Sequence, residues 1–339
     1  MNYNNLPKIE LHLHLDCSLS YKVVQQLNPS VTKEAYEAEF IGPAKCHDLA
    51  DFITRAAKGI ELMQTAEQLW MVTLDLFEQL QADDVIYAEI RFAPLLHLDQ
   101  GLSSAEVVKI VNAAAIAGME KTGIQAGLIL ATLRHYTEAQ SMETVRLVEQ
   151  FQGTHVVGFD IAADEAGFPI DQHVKAFQYA KKKGIPCTAH AGEARGADSV
   201  WETLRHFHPQ RIGHGVRSVE DPELMAFLKS KDIHLEVCPT SNIQTAIYDT
   251  IEQHTVDKIY HSGVSMSINT DARTISNVTL TDEYQTLHRV FGWEKAHFFR
   301  CNLEAITHAF ASEEVKEELK QKLIAGFAGE ESQLNVHPL

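Results

Sequence analysis

The chain has 339 residues, 45% hydrophobic and 22% charged, and its formal net charge of −17 argues against a nucleic-acid partner, since phosphates are gripped by clustered Lys and Arg. No apolar run reaches the roughly 18 residues of a membrane span, and the first strand begins too early to leave room for a signal peptide. The 5 cysteines, odd in number and without a C-x-x-C pair, fit a reducing compartment, so a cytoplasmic protein acting on small molecules is expected.

The first predicted strand, Ile9–Leu15, lies in the segment KIELHLHLDC. Alternation puts Leu11, Leu13 and Leu15 on one face and His12, His14 and Asp16 on the other. A single histidine on such a face is usually a satisfied core residue. Two favour a metal, because neutral imidazole is the commonest metal ligand. Residues 28–80 then show helical spacing and form an insertion before the second strand, with LADFITRAAKGIELM at its centre, suited to cover a barrel mouth. Phe52, Ile60 and Met63 are its candidate lid residues, with packing inside the insertion the favoured reading. The next strands are Val85–Pro94 (VIYAEIRFAP), Gly127–Leu133 (GLILATL) and Val156–Ala163 (VVGFDIAA). Ile185–His190, Arg211–Gly215, His234–Pro239 and Val264–Asp271 complete the set. Amphipathic stretches such as Ala105–Glu120 and His173–Lys183 lie between strands, the second ending on Gly184 as a helix C-cap. Glu313–Ala325 reads as an outer C-terminal helix.

Strands alternating with helices predict an α/β fold. A (β/α)8 TIM barrel is expected, as a single domain over residues 1–339 with a helical insertion after strand 1. A doubly wound sheet is the second choice, but no G-x-G-x-x-G or P-loop supports it. In a barrel, catalytic groups collect at the C-terminal ends of the strands. Those ends carry His12, His14 and Asp16, then His190-Ala191-Gly192-Glu193, then His214, then Asn269-Thr270-Asp271. Singly, His214 reads as a packed histidine, Asp271 as a helix N-cap and Glu193 as a solvated acid. Together, His12, His14, His190 and Asp271 make a Zn²⁺ set with one position left for water, and Glu193 and His214 are free to move protons. Strand four ends FDIAADE without a lysine, which favours one metal over two. The H-x-x-E spacing, with no P-C-x-x-C, excludes the cytidine-type deaminases.

HLHLD, HAGE, RIGHG, CPTSN and NTD, together with YAEIRFAP and FDIAADE, stand in the order and spacing of the adenosine deaminase family, within the amidohydrolase superfamily. The chain resembles that family over nearly its whole length. The resemblance implies one Zn²⁺ per chain, a purine nucleoside substrate, and hydrolysis of adenosine or 2′-deoxyadenosine to inosine or 2′-deoxyinosine and ammonia. It implies His12, His14, His190 and Asp271 as metal ligands, Asp271 also being a catalytic group. Glu193 matches the acid that protonates purine N1, and His214 the residue that orients the attacking hydroxide and assists its deprotonation. Asp16 matches a ribose contact, and His14 and Ala163 border the substrate, Ala163 through its backbone N–H.

Four positions depart from the family pattern. Ala272 replaces an aspartate implied to bind purine N7. Arg273 adds a charge at the rim, where solvent is the favoured partner. Ala163 and Cys17 stand where glycine is usual, and Cys17 is expected to be a small buried apolar residue. These departures leave 6-aminodeoxyfutalosine, adenine or an N6-substituted adenosine as alternative substrates. A catalytically inactive zinc-binding module is a weaker reading, because such a module needs neither Glu193 nor His214.

Overall fold

In the computed structural model, which describes residues 3–334, eight short strands run parallel. They are β1 (Lys8–His14), β2 (Val85–Phe92), β3 (Gln125–Leu133), β4 (Val156–Ala162), β5 (Thr188–Ala191), β6 (Arg211–His214), β7 (His234–Val237) and β8 (Met266–Ile268). β1 to β4 pair in chain order, and so do β5 to β8. Two seams close the cylinder. Phe159 bridges Cys187, with its N–H donating to Pro186 O at 3.0 Å, and Leu13 bridges Asp271. At the second seam His14 N donates to Asp271 O at 2.8 Å, and Asp271 N donates to His12 O at 3.0 Å. This is the expected (β/α)8 barrel.

The strands are buried along nearly their whole length, as parallel strands sheathed by helices must be. Alternate residues fill the barrel with paired charge. Arg91 bonds Asp160 at 2.8 Å and Glu236 at 2.7 Å, and Arg211 bonds Glu236 at 2.7 Å and Glu89 at 2.5 Å. The later strands are shorter than their apolar runs. β8 ends at Ile268 because the next three residues leave the ladder for polar work. Asn269 Oδ1, for example, accepts from Leu11 N at 2.8 Å and His12 N at 3.1 Å.

Five helices lie between β1 and β2: α1 (Tyr21–Leu27), α2 (Lys33–Glu39), α3 (Leu49–Thr54), α4 (Ala56–Glu61) and α5 (Ala66–Ala82). α5 starts on a Thr65/Gln68 capping box, which satisfies two otherwise orphaned N–H groups. Crossover helices follow, among them Ser104–Thr122, Glu138–Gln150, Val174–Lys183, Ala197–Phe207 and Pro222–Ser230. The expected amphipathic stretches Ala105–Glu120 and His173–Lys183 match Ser104–Thr122 and Val174–Lys183, and Gly184 caps the latter at φ +65°. The last helix, Glu313–Leu334, runs past its expected end. Among the described residues no helix is long and apolar enough to cross a membrane.

Candidate active site

The C-terminal ends of β1, β5, β6 and β8 deliver donors to one point. One ring nitrogen each from His12, His190 and His214 and one carboxylate oxygen of Asp271 lie within 4.8 Å of one another, and all four residues are buried. His14 joins them, with Nε2 at 3.3 Å from both His190 Nε2 and Asp271 Oδ1, while His12 Nε2 is 3.2 Å from the same oxygen. Asp271 and His214 hold left-handed backbone at φ +64° and +60°. That conformation costs a non-glycine residue about 1–2 kcal/mol, so neighbours must hold it. For Asp271 they are the seam bonds to β1, Ser241 Oγ donating to Oδ2 at 2.7 Å, and Glu10, which accepts from Thr270 N at 2.9 Å.

The donor set fits a metal. His12 Nδ1 lies 2.8 Å from Glu236 Oε2, and His190 Nδ1 lies 3.1 Å from Asp160 Oδ2. Each carboxylate takes the outer nitrogen and turns Nε2 inward, the orientation metal-binding histidines use. His12 Nε2 is buried and makes no hydrogen bond. Leaving such an atom unsatisfied costs about 1–3 kcal/mol, which a ligand would recover. Bonds of 2.0–2.1 Å to a single zinc place neighbouring ligand atoms roughly 3–3.5 Å apart. The separations of 3.2 and 3.3 Å given above match that spacing.

Glu193 is buried on the turn after β5, held by Glu165, whose carboxylate accepts from Gly192 N at 2.7 Å and Glu193 N at 3.0 Å. Burial, then the charges of Asp271 and Glu165, push the Glu193 carboxyl well above its ordinary range. Both effects favour its protonated form. Burial, reinforced by His12, holds His214 well below its usual value, so its ring is neutral. His214 Nε2 stands 3.5 Å from Glu193 Oε2.

These groups open into a pocket of about 210 Å³. His14, His190, Glu193, His214 and Asp271 line it together with Asp16 and Ala163. Leu49, Phe52 and Ile53 of α3 and Ile60 of α4 make much of the remaining wall, which among the described residues carries no Lys or Arg. Phe52 and Ile60 thus belong to the pocket as well as to a small cluster with Ala272 and Ile275, whereas Met63 is buried in the main core. Cys17 is not fully buried as expected: it lines the pocket, and burial, then Asp16, keep its thiol protonated and unreactive. Ala163 holds φ +78°, a glycine-like conformation.

Arg273 corrects the sequence reading. It is not at the rim but buried, with Nη2 at 2.7 Å from Glu10 Oε2 and 2.9 Å from Asp83 Oδ2. The left-handed turn at Asp271 puts Ala272 in the pocket wall and sends the next side chain back toward the start of β1. Sequence reasoning also missed the groups behind the cluster: Glu236, Asp160, Glu165 and Asn242. The available signal was a charge inside an apolar strand, as in HLEVCP and VVGFDIAA, where burial demands a partner.

The Adenosine deaminase family profile matches residues 7–326. The chain belongs to the adenosine deaminase family. An adenosine deaminase of Clostridium perfringens is 35% identical over 331 residues, covering 96% of this chain and 100% of the relative. Among solved structures, an adenine deaminase from Arthrobacter aurescens superposes with a TM-score of 0.87 at 25% identity, covering 94% of this chain and 98% of that one. An Arabidopsis N6-mAMP deaminase superposes at 0.84 and 26% identity, covering 95% and 99%. Proteins named for a nucleoside, a base and a nucleotide substrate are thus all similar to this chain, so the pocket has to decide among them.

Proposed function

We propose that the protein hydrolytically deaminates adenosine and 2′-deoxyadenosine, giving inosine or 2′-deoxyinosine and ammonia. The observation that carries this is a buried Glu193, whose surroundings favour its protonated form, beside a His/Asp metal-binding cluster in one pocket. His12, His14, His190 and Asp271 hold one Zn²⁺. When bound, the ion supplies the Lewis acidity that lets water act as a nucleophile near neutral pH. Glu193 donates its proton to purine N1, which makes C6 electrophilic. His214 orients the attacking water, whose oxygen bonds C6. The C6–N bond then breaks, ammonia leaves, and a 6-oxo purine remains.

Asp16 favours a nucleoside over a free base. It is buried in the pocket wall, and its nearest donors are distant, Ala93 N at 3.5 Å and Cys17 Sγ at 3.9 Å, so a sugar hydroxyl would complete its bonding. A wall without Lys or Arg favours a nucleoside over a nucleotide, because a phosphate facing Asp16 and apolar side chains would lose its solvation without compensation. Ala163 lines the same pocket, and in this reading its N–H meets the purine. The chain works as one domain, with residues 28–80 as the cover of the pocket, in the cytoplasm. The test is a panel of adenosine, 2′-deoxyadenosine, adenine, AMP and N6-methyladenosine with the zinc-loaded protein, followed by ammonia release and the ultraviolet shift. Nucleosides are turned over fastest; no turnover of any of them with zinc bound overturns the reading.

A further inference from the structure

Behind the donor cluster lies a hydrogen-bonded chain that no motif announces. His254 is buried, and its Nδ1 accepts from the backbone N–H of Val256 at 3.0 Å. A backbone amide can only donate, so this nitrogen carries no proton in a neutral ring. Burial brings the His254 pKa down to about 3, and the ring is neutral at physiological pH. Its one proton therefore sits on Nε2, which faces Asn242 Oδ1 at 3.2 Å. That contact fixes the Asn242 amide, with oxygen toward His254 and nitrogen toward the site. Asn242 Nδ2 then donates to His214 Nδ1 at 3.1 Å and to Glu193 Oε1 at 3.3 Å. Thr245 Oγ1 stands 3.4 Å from the same Glu193 oxygen.

We propose that this backbone-anchored chain, from Val256 N–H through His254 to Asn242, fixes where the protons of the catalytic pair sit, placing that of His214 on Nε2 and that of Glu193 on Oε2. The inference rests on the deaminase reading above. Its first consequence is that His214 presents an N–H to the pocket and aims the water by donating to its oxygen. It has no free nitrogen with which to take the water's proton. The acceptors that remain are carboxylates: Asp271 in the donor cluster, and Glu193 once it has protonated N1. One of the water's two protons restores Glu193 and the other leaves with the amino group as ammonia, so the cycle closes. Asn242 and His254 do not line the pocket, and both are positioning residues.

Two substitutions separate this role from a structural one. His254→Gln keeps an N–H aimed at Asn242. His254→Asn keeps an acceptor for Val256 N–H but is too short to donate to Asn242, whose amide is then free to flip. A flipped amide demands a proton on His214 Nδ1, and a wrong tautomer at a catalytic histidine costs up to about 10⁴-fold in kcat. For zinc-loaded His254→Asn we expect kcat to fall by about 10²-fold or more with KM changed by less than about threefold, while His254→Gln stays within about tenfold of the parent. Nitrogen-15 NMR of labelled histidines, with His214 identified by its loss in His214→Gln, reads the tautomer directly and does not depend on turnover. The expected signature is a protonated Nε2 in the parent and in His254→Gln, and a mixture in His254→Asn. A protonated Nδ1 in the parent overturns the proposal, even if His254→Asn fails to fold. So does an equal loss of kcat in both variants, or none in His254→Asn. If no 6-aminopurine is turned over, the deaminase reading fails while the tautomer measurement still tests the chain.

Discussion

Arg273→Met tests whether the residue after the metal-site aspartate loop is a clamp. Methionine keeps much of the stem volume and removes the guanidinium. Asp83 tolerates the loss, because Leu280 N at 2.8 Å, Thr281 N at 3.1 Å and Thr281 Oγ1 at 2.6 Å still donate to it. Glu10 does not, since its Oε2 is left as a buried charge without its ion pair to Arg273. Breaking a buried pair from one side costs about 3–5 kcal/mol. At about 2.1 cal/mol/K of unfolding entropy per residue, that lowers the Tm of a chain this long by roughly 5 °C. Glu10 also bonds Thr270 through N and Oγ1, next to Asp271 at φ +64°, so the loosened loop weakens zinc binding by about 10-fold or more. Urea denaturation measures the first effect, and competition with a zinc chelator the second. Adding Glu10→Gln to Arg273→Met removes the stranded charge and recovers part of the stability. A single variant within about 1 kcal/mol of the parent and with unchanged zinc affinity would refute the clamp.

Glu193→Gln retains zinc but loses at least about 10²-fold in kcat, since an amide cannot protonate N1; retained activity would remove Glu193 from its role. Ala272→Asp asks whether N7 recognition was lost or replaced: a carboxyl among Phe52, Ile275 and Cys17 is expected to lower adenosine turnover, and a gain in kcat/KM would show that the site lacks only that contact. Glu283 is buried, and desolvation raises its pKa to about 8. The native state therefore holds a proton that the unfolded chain releases above its ordinary value of 4.5, so stability is greatest below that pH and falls as pH rises toward 8. Glu283→Gln should flatten this fall in pH-dependent denaturation, and an unchanged slope would show that Glu283 does not cause it. Removing zinc with a chelator should lower Tm in a zinc-concentration-dependent way, with readdition restoring it.

The sequence alone determined the elements and their chemistry, because both follow from local periodicity. Alternation in KIELHLHLDC separates leucines from histidines without reference to any other segment. Eight short apolar runs, four of them ending in polar residues, define a barrel and the end at which it works. The partners were decided only by tertiary structure. Arg273 reads as a surface charge until the turn at Asp271 sends it toward Glu10, 263 positions earlier in the chain. Met63 and Ile60 have similar local sequence, yet one is sealed in the core and the other faces the pocket, according to how α4 packs. The tautomer of His214 depends on Asn242, His254 and a backbone amide at 256, segments that meet only after β6 and β7 pair. Which residues carry chemistry is written in their types and spacing. Which atom of each carries the proton depends on hydrogen bonds to distant chain, and these exist only once the barrel has closed.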